Sequence, residues 1–356
     1  MKVNSRWLMR WLVKQRQNPT IATLAILATL VVVFSLMSDR FLTIENIQNV
    51  TRSSAAVITV GCAVTLVMIA RGLDLSVGST LAACGVLAAA LASNGANLLL
   101  SYLAALALGA AIGALNGVIV VGLKVTPIIA TLGTLNIARG LAYLITPSAI
   151  LVGLPAAWST IGTSSLFGLP SPVLIAIAAV IFFSWLLNRT VFGRHVYAIG
   201  GNEETARLAG VRVGRVLFLL YLMAGLSAGV GAIVLSSRLG TGDPNIGVGF
   251  EFDVIVAVIL GGTSLAGGSG RISGTVLGAL IVGFLSNGLN LVGVEPFWQY
   301  VAKGSALIVA VVLDRFASRS SDVRPKTGKT PPSPPSRPTP DVTVGALDSS
   351  TVGATR

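Results

Sequence analysis

Charge is scarce in this sequence. Only 11% of its 356 residues are charged, against roughly 25% in an ordinary soluble protein, so too few ionic side chains remain to coat a water-soluble globule. Imidazoles and thiols are scarcer still: the chain has one histidine, His195, and two cysteines, Cys62 and Cys84. Zinc sites are built mostly from those groups, so no metal site is expected. Both cysteines lie in apolar stretches that suit a small buried side chain better than a disulfide or a ligand. A phosphate-binding loop is missing too. Gly328, Lys329 and Thr330 have the ending of one, but Val323 stands where its first glycine is required, and the segment follows no strand. GGTSLAGGSGR at 261–271 is glycine-rich without the G-x-G-x-x-G spacing. No catalytic residue and no cofactor are therefore expected in this chain.

What remains is apolar. Hydrophobic residues make up 53% of the chain and the mean hydropathy is +0.83. The 40 glycines follow no three-residue period and lie inside apolar runs, where membrane helices use small residues for close packing. A bilayer crossing takes about 20 apolar residues. Hydropathy places spans at 20–37, 54–70, 76–92, 97–123, 127–145, 171–187, 216–235, 252–262, 272–292 and 298–313. The expected fold class is all-α, a polytopic membrane protein with about ten transmembrane helices. The segment 252–262 is short and glycine-bounded, as a broken or re-entrant helix would be.

Lys2, Arg6, Arg10, Lys14 and Arg16 precede the first apolar run, which ends at Ser38, Asp39 and Arg40 rather than at a small-x-small cleavage site. It reads as a retained first helix. Basic segments stay on the cytoplasmic side. Alternating ten spans from an inside N-terminus also puts Arg71, Lys124, the arginine-rich loop 188–215, Arg271 and the C-terminus inside. The segment 146–170, placed outside, carries no charge. Both termini are thus expected in the cytoplasm, and the net charge of +12 faces anionic lipid rather than nucleic acid. Three regions follow: a basic cytoplasmic arm at 1–19, a transmembrane domain at 20–314, and a Pro-rich disordered cytoplasmic tail at 315–356.

Several motifs stand out. GNEETARLAG at 201–210 reads as a short helix outside the membrane, with Asn202 as its cap, Glu203 and Glu204 at its positive end and Gly210 as its left-handed terminator. It is either a solvated connector or a docking element. RGLDLSVGS at 71–79 reads as a tight turn in which Asp74 or Ser76 caps the next helix, or as a gating element. Arg71 is close enough in sequence to pair with Asp74. Arg139 lies inside a span, where a charge is costly and faces protein or water, as a carbonyl clamp, an ion pair or part of a path. Asn116, Thr131, Asn136, Asn287 and Asn290 offer hydrogen bonds either to a neutral polyhydroxylated solute or between helices. Lys303 is placed to pair with Glu295 or to line a path. Asn116-Gly117 followed by Pro127, and Asn287-Gly288 followed by Pro296, hint at a two-half internal repeat.

RGLDLSVGS, LNGVIVVGLKVTPIIATLGTLNIARG (115–140), GNEETARLAGV and GGTSLAGGSGRISGTVLGA occur in an order that resembles the membrane permeases of ribose-type (monosaccharide) ABC importers, from about Thr20 to Asp314. The resemblance implies a multi-pass inner-membrane permease, not itself an enzyme, that works as a homodimer or with a homologous permease. It would receive a monosaccharide from an extracytoplasmic sugar-binding protein and be driven by a separate ABC ATPase that holds ATP and Mg. It assigns ATPase coupling to Asn202, Glu203, Glu204, Arg207 and Leu208, and translocation or gating to Asp74, Ser76, Asn116, Thr131, Asn136, Arg139 and Asn287. Gly133, Gly140, Gly261, Gly262 and Gly268 also fall on motif positions. TPII at 126–129 departs from the aromatic that many relatives carry after the proline. The alternatives are a permease for nucleosides or branched-chain amino acids with the same machinery, or an ion-coupled secondary transporter, against which the scarcity of intramembrane carboxylates weighs.

Overall fold

The computed structural model describes residues 19–146 and 150–321. The basic residues of the N-terminal arm and almost all of the Pro-rich tail lie outside the described residues. Helices dominate: α1 (Pro19–Met37), α2 (Ile44–Ile69), α3 (Val77–Ser93), α4 (Leu98–Gly117), α5 (Pro127–Ile145), the single turn α6 (Thr160–Thr163), α7 (Ser171–Arg189), α8 (Val191–Gly201), α9 (Glu203–Leu208), α10 (Val213–Leu239), α11 (Phe250–Leu260), α12 (Ile272–Leu291) and α13 (Pro296–Ser321). The extended structure is a two-residue pairing, Ser165–Leu166 with Leu169–Pro170, just before α7. Helix α13 continues to Ser321, past the point where the composition turns polar.

Among the described residues six segments are long and apolar enough to cross a membrane: α2, α4 with the π turn Val118–Gly122 that extends it, α5, α7, α10 and α12. The apolar helix α3 and the apolar stretch Ile21–Met37 of α1 are shorter. At 1.5 Å per residue the 11 residues of α11 span about 16 Å, roughly half of a 30 Å hydrocarbon core. The short segment expected at 252–262 is thus a partial helix, and left-handed Gly249 sets its start.

The elements begin where local chemistry dictates. The Thr43 hydroxyl accepts from Asn46 N at 3.3 Å and opens α2. The Asn97 side chain accepts from Leu99 N and opens α4. Proline at the first turn opens α5, where its missing N–H is no loss.

Helices α2 and α10 form the centre. From Ser54 to Ile69 every residue of α2 is buried, so in this protein a continuous apolar run marks a helix surrounded by other helices. Helix α10 packs along α4 through glycines. A Cβ on Gly109 would overlap the Gly225 carbonyl, and one on Gly225 would lie 2.7 Å from Gly113 Cα. The four-residue spacing of Gly109 and Gly113 against Gly225 and Gly229 brings the two backbones into contact, and Gly117 lies against Phe218 of α10, the small-residue packing that membrane helices use. Gly274 and Gly278 of α12 meet Gly261 and Ala257 at the end of α11 in the same way.

Candidate functional site

The motifs singled out from the sequence gather at one end of the bundle. Helix α9 projects there. Asn202 Oδ1 accepts from Thr205 N at 2.9 Å, Glu203 and Glu204 occupy the first turn, and Gly210 follows with φ +84°. The capped short helix read from the sequence is therefore present, with caps that satisfy its end groups. Arg207 pairs with Glu203 at 2.8 Å on its surface. Ala206 alone of the helix is buried, and Leu208 is 81% exposed. The loop expected at 188–215 also contains a second helix, α8, which ends at Gly201. Asn202 therefore closes α8 and opens α9 with no spacer.

The base of this elbow is held by the other two motifs. Arg71 does not pair with Asp74. Its Nε donates to Gly200 O and its Nη2 to Gly201 O, both at 2.8 Å. These are the free carbonyls at the negative end of α8, a favourable place for a cation. Arg71 itself has φ +64°, an uncommon conformation for a residue with a side chain. From the glycine-rich loop at 261–271, Gly268 N donates to Ile69 O at 2.8 Å, and Tyr197 Oη donates to Gly270 O at 2.8 Å. A Cβ on Gly267 would overlap the Arg71 side chain, and one on Gly200 would overlap Ile69 O. Glycine is needed at both.

Asp74, Ser76, Asn116 and Thr131 come together beside this elbow. Asp74 is fully buried in the loop between α2 and α3. Its Oδ1 accepts from Ser76 N at 2.9 Å and from the Ser76 hydroxyl at 2.6 Å. Asn116 Nδ2 donates to Ser76 Oγ at 2.8 Å, and Asn116 Oδ1 accepts from the Thr134 hydroxyl at 2.6 Å. Thr131, one turn earlier, donates to Pro127 O of its own helix at 2.8 Å. A chain of buried hydrogen bonds thus joins the starts of α3 and α5 to the end of α4. Burial raises the Asp74 pKa against the bonds from Ser76, which favour the carboxylate. Neither side chain caps α3: Ser76 stands at the N-cap position with its hydroxyl committed to the chain, and Asp74 accepts from Ser76 rather than from the helix's first turn. Thr134 escaped the sequence reading, although it stands three residues after Thr131 on the same helix face. Tyr221 also escaped it; its hydroxyl would lie 2.9 Å from a Cβ on Gly72.

The other expected path residues are elsewhere. Arg139 donates through Nη1 to Pro244 O at 2.6 Å and Ile246 O at 3.2 Å, and Tyr143 donates to Asn245 Oδ1 at 2.7 Å one turn on. Arg139 is therefore a carbonyl clamp, holding the irregular segment before α11. Asn136 is exposed on α5, its amide returned to Leu132 O at 2.9 Å. Asn287 is engaged with Asn46 in a reciprocal amide pair at 2.8 and 2.9 Å, which ties α2 to α12. Asn290 accepts from Gln299 Nε2 at 2.7 Å. Lys303 pairs not with Glu295 but with Asp253 of α11, at 2.8 Å. That pair edges a cavity of about 340 Å³ lined also by Phe252, Gln299 and Tyr300. A chance neighbour in sequence lost to a partner 50 residues away, because α13 packs on α11. Among the described residues no group of three or more His, Cys, Asp or Glu side chains is arranged to hold a metal ion.

Comparison with known proteins identifies the family. Residues 46–311 match the family described as branched-chain amino acid transport system, permease component. The chain is 41% identical over 315 residues to the ribose import permease protein RbsC of Escherichia coli K12, covering 85% of this chain and 94% of that one. It is 40% identical over 291 residues to the ribose import permease protein RbsC of Bacillus subtilis, covering 81% and 90%. It is 37% identical over 297 residues to the L-arabinose transport system permease protein AraH of E. coli K12, covering 83% and 90%. No solved structure matches it significantly. An all-α, multi-pass membrane protein whose glycine-packed helices carry these motifs along most of its length, the chain belongs to this family of transport-system permease components.

Proposed function

We propose that this protein is the inner-membrane permease subunit of an ATP-driven ABC importer for a monosaccharide, with α9 as the element that docks the ATPase. The observation that carries this reading is the α8–α9 elbow. Helix α9 is capped at both ends, exposed except at Ala206, and rooted through Gly200 and Gly201 in the bundle. A free connector needs no such root. Asn202, Glu203, Glu204, Arg207 and Leu208 form its outer surface; exposed Leu208 supplies an apolar contact and Arg207 a charged one. ATP and Mg are held by the partner, and the chain itself hydrolyses nothing.

The names of the relatives, ribose and L-arabinose permeases, support a monosaccharide as the cargo. An extracytoplasmic binding protein delivers it to the end of the bundle opposite α9, and both termini lie in the cytoplasm. A second permease copy completes the path. The exposed face of α5 with Gly133, Asn136 and Gly140 supports this pairing. A Cβ at Gly133 or Gly140 would meet nothing within 4 Å, so another backbone has room to approach.

The test is gentle purification of the tagged protein from its native membrane, with mass spectrometry of what accompanies it. Uptake of labelled ribose, arabinose, a nucleoside and leucine is then measured in cells with and without the gene. An ABC ATPase in the complex and gene-dependent uptake of a monosaccharide are expected. Uptake of the nucleoside or leucine alone would replace the cargo but keep the machinery. A transport-active protein free of any ATPase would overturn the reading in favour of ion coupling.

A further inference from the structure

We infer that Arg71 is the positioning residue that carries movement of α9 into the transmembrane bundle, by joining the α8–α9 elbow to the buried Asp74–Ser76–Asn116–Thr134 chain. The inference rests on the reading of α9 as the ATPase-docking helix.

Three observations carry it. First, α8 passes into α9 through the single residue Asn202, so a displacement of α9 reaches Gly200 and Gly201 with no loop to absorb it. Second, Arg71 takes the carbonyls of both glycines. Its side chain is confined by Gly267, and Gly200 is pressed against Ile69 O, each too closely to admit a Cβ. Close-packed contacts of this kind transmit displacement instead of yielding to it. Third, Arg71 opens the same short loop that ends in Asp74 and Ser76, where the hydrogen-bond chain to α4 and α5 begins. Tyr197 ties the elbow to Gly270, in the glycine-rich loop between α11 and α12, and Gly268 ties that loop to Ile69 at the end of α2. Arg71 supplies the link to α3, α4 and α5.

The residue type fits the task. The planar guanidinium presents two donors in a fixed fork, which an ammonium does not. It is held there at φ +64°, a conformation that glycine adopts without cost. An arginine kept in a glycine conformation is kept for its side chain.

This conformation supplies a clean test. Arg71→Gly removes the clasp and suits the backbone, while Arg71→Lys keeps the charge without the fork. Each is made in the full complex with its co-purified ATPase. Leu123 is 69% exposed, between α4 and α5, and Cys62 and Cys84 are buried. Leu123→Cys therefore provides a maleimide reporter for that region that needs no knowledge of the cargo. With Arg71 in place, ATP is expected to change the labelling rate. In Arg71→Gly the ATPase is expected to remain bound at the original stoichiometry while ATP no longer alters labelling. Labelled-ribose uptake should fall roughly tenfold or more, the scale of a coupling between sites. Arg71→Lys should fall between the two. An ATP response in Arg71→Gly equal to that of the parent would overturn the inference, as would release of the ATPase, which would make the clasp a docking support. Failure of the parent protein to recover any ATPase would sink the α9 reading itself, and this inference with it.

Discussion

The two ends of the bundle each use an arginine to grip backbone carbonyls, and they use it differently. At one end Arg71, in a loop, holds the free carbonyls of α8, and what lies beyond them is an exposed six-residue helix. At the other end Arg139, inside a membrane helix, holds Pro244 O and Ile246 O, and what lies beyond them is the buried start of α11. That second end is further tied by Tyr143 to Asn245, by the indole of Trp158 donating to Ser236 O at 3.1 Å, and by the bridge between Leu151 and Gly242. The comparison teaches that one end closes on itself around an irregular segment, while the other holds out a short helix that the protein leaves uncovered. The same guanidinium chemistry holds an irregular segment in one place and the end of a helix in the other.

The comparison breaks most visibly at Arg139. Arg139→Ala strips two carbonyls of a charged donor in a half-buried site. A hydrogen bond to a charged group contributes about 1.5–3 kcal/mol, so the largest loss of stability is expected here, with loss of uptake. Thermal unfolding in detergent, followed by uptake in cells, checks both. Normal uptake by a well-expressed Arg139→Ala protein would remove its essential role. Next comes the bridge between α11 and α13. Lys303→Met leaves Asp253 partly buried without its partner, and a loss of about 1–3 kcal/mol is expected, recovered in part by Asp253→Asn in the same chain. Melting of the two single variants and the double variant decides it.

The end that carries α9 should respond in function rather than in stability. The Glu203–Arg207 pair is half exposed or more and contributes only about 0.3–0.5 kcal/mol as an i,i+4 pair. Arg207→Glu should therefore leave the melting temperature almost unchanged and still cut recovery of the ATPase in a pull-down. Equal recovery would remove α9 from the docking surface. The smallest effect is expected at Asn287. Asn287→Leu breaks the amide pair with Asn46 and should cost about 1 kcal/mol with uptake retained. A selective loss of uptake at full stability would return Asn287 to the path.

What was legible in the sequence was local. The short helix at 202–210 could be read because its caps act over three residues and its end glycine takes a conformation that side chains resist. Apolar runs were legible because apolar length is written directly in composition, though six of the ten expected spans reach full crossing length among the described residues, and the partial helix α11 was legible because eleven residues are too few to cross by themselves. That Arg139 needed a partner also followed from its place in a span. Which partner it has did not follow, since two adjacent carbonyls and a distant carboxylate satisfy the same need.

The sequence by itself therefore determined a helical membrane protein, the caps of its short helix α9, and the family to which its motifs point, while α2 begins ten residues earlier than its apolar run and α8 fills part of an expected loop. The tertiary structure alone decided the pairings. It sent Arg71 to carbonyls 129 and 130 residues away instead of to Asp74 three residues on. It joined Ser76 to Asn116 across 40 residues, and Lys303 to Asp253 across 50. Caps and apolar runs depend on interactions within a turn or two of one helix, so they are written in order along the chain. Buried polar groups must be satisfied by whatever the packing of helices brings within 3 Å, and that is set by glycine contacts such as Gly109 on Gly225, which no local spacing reveals.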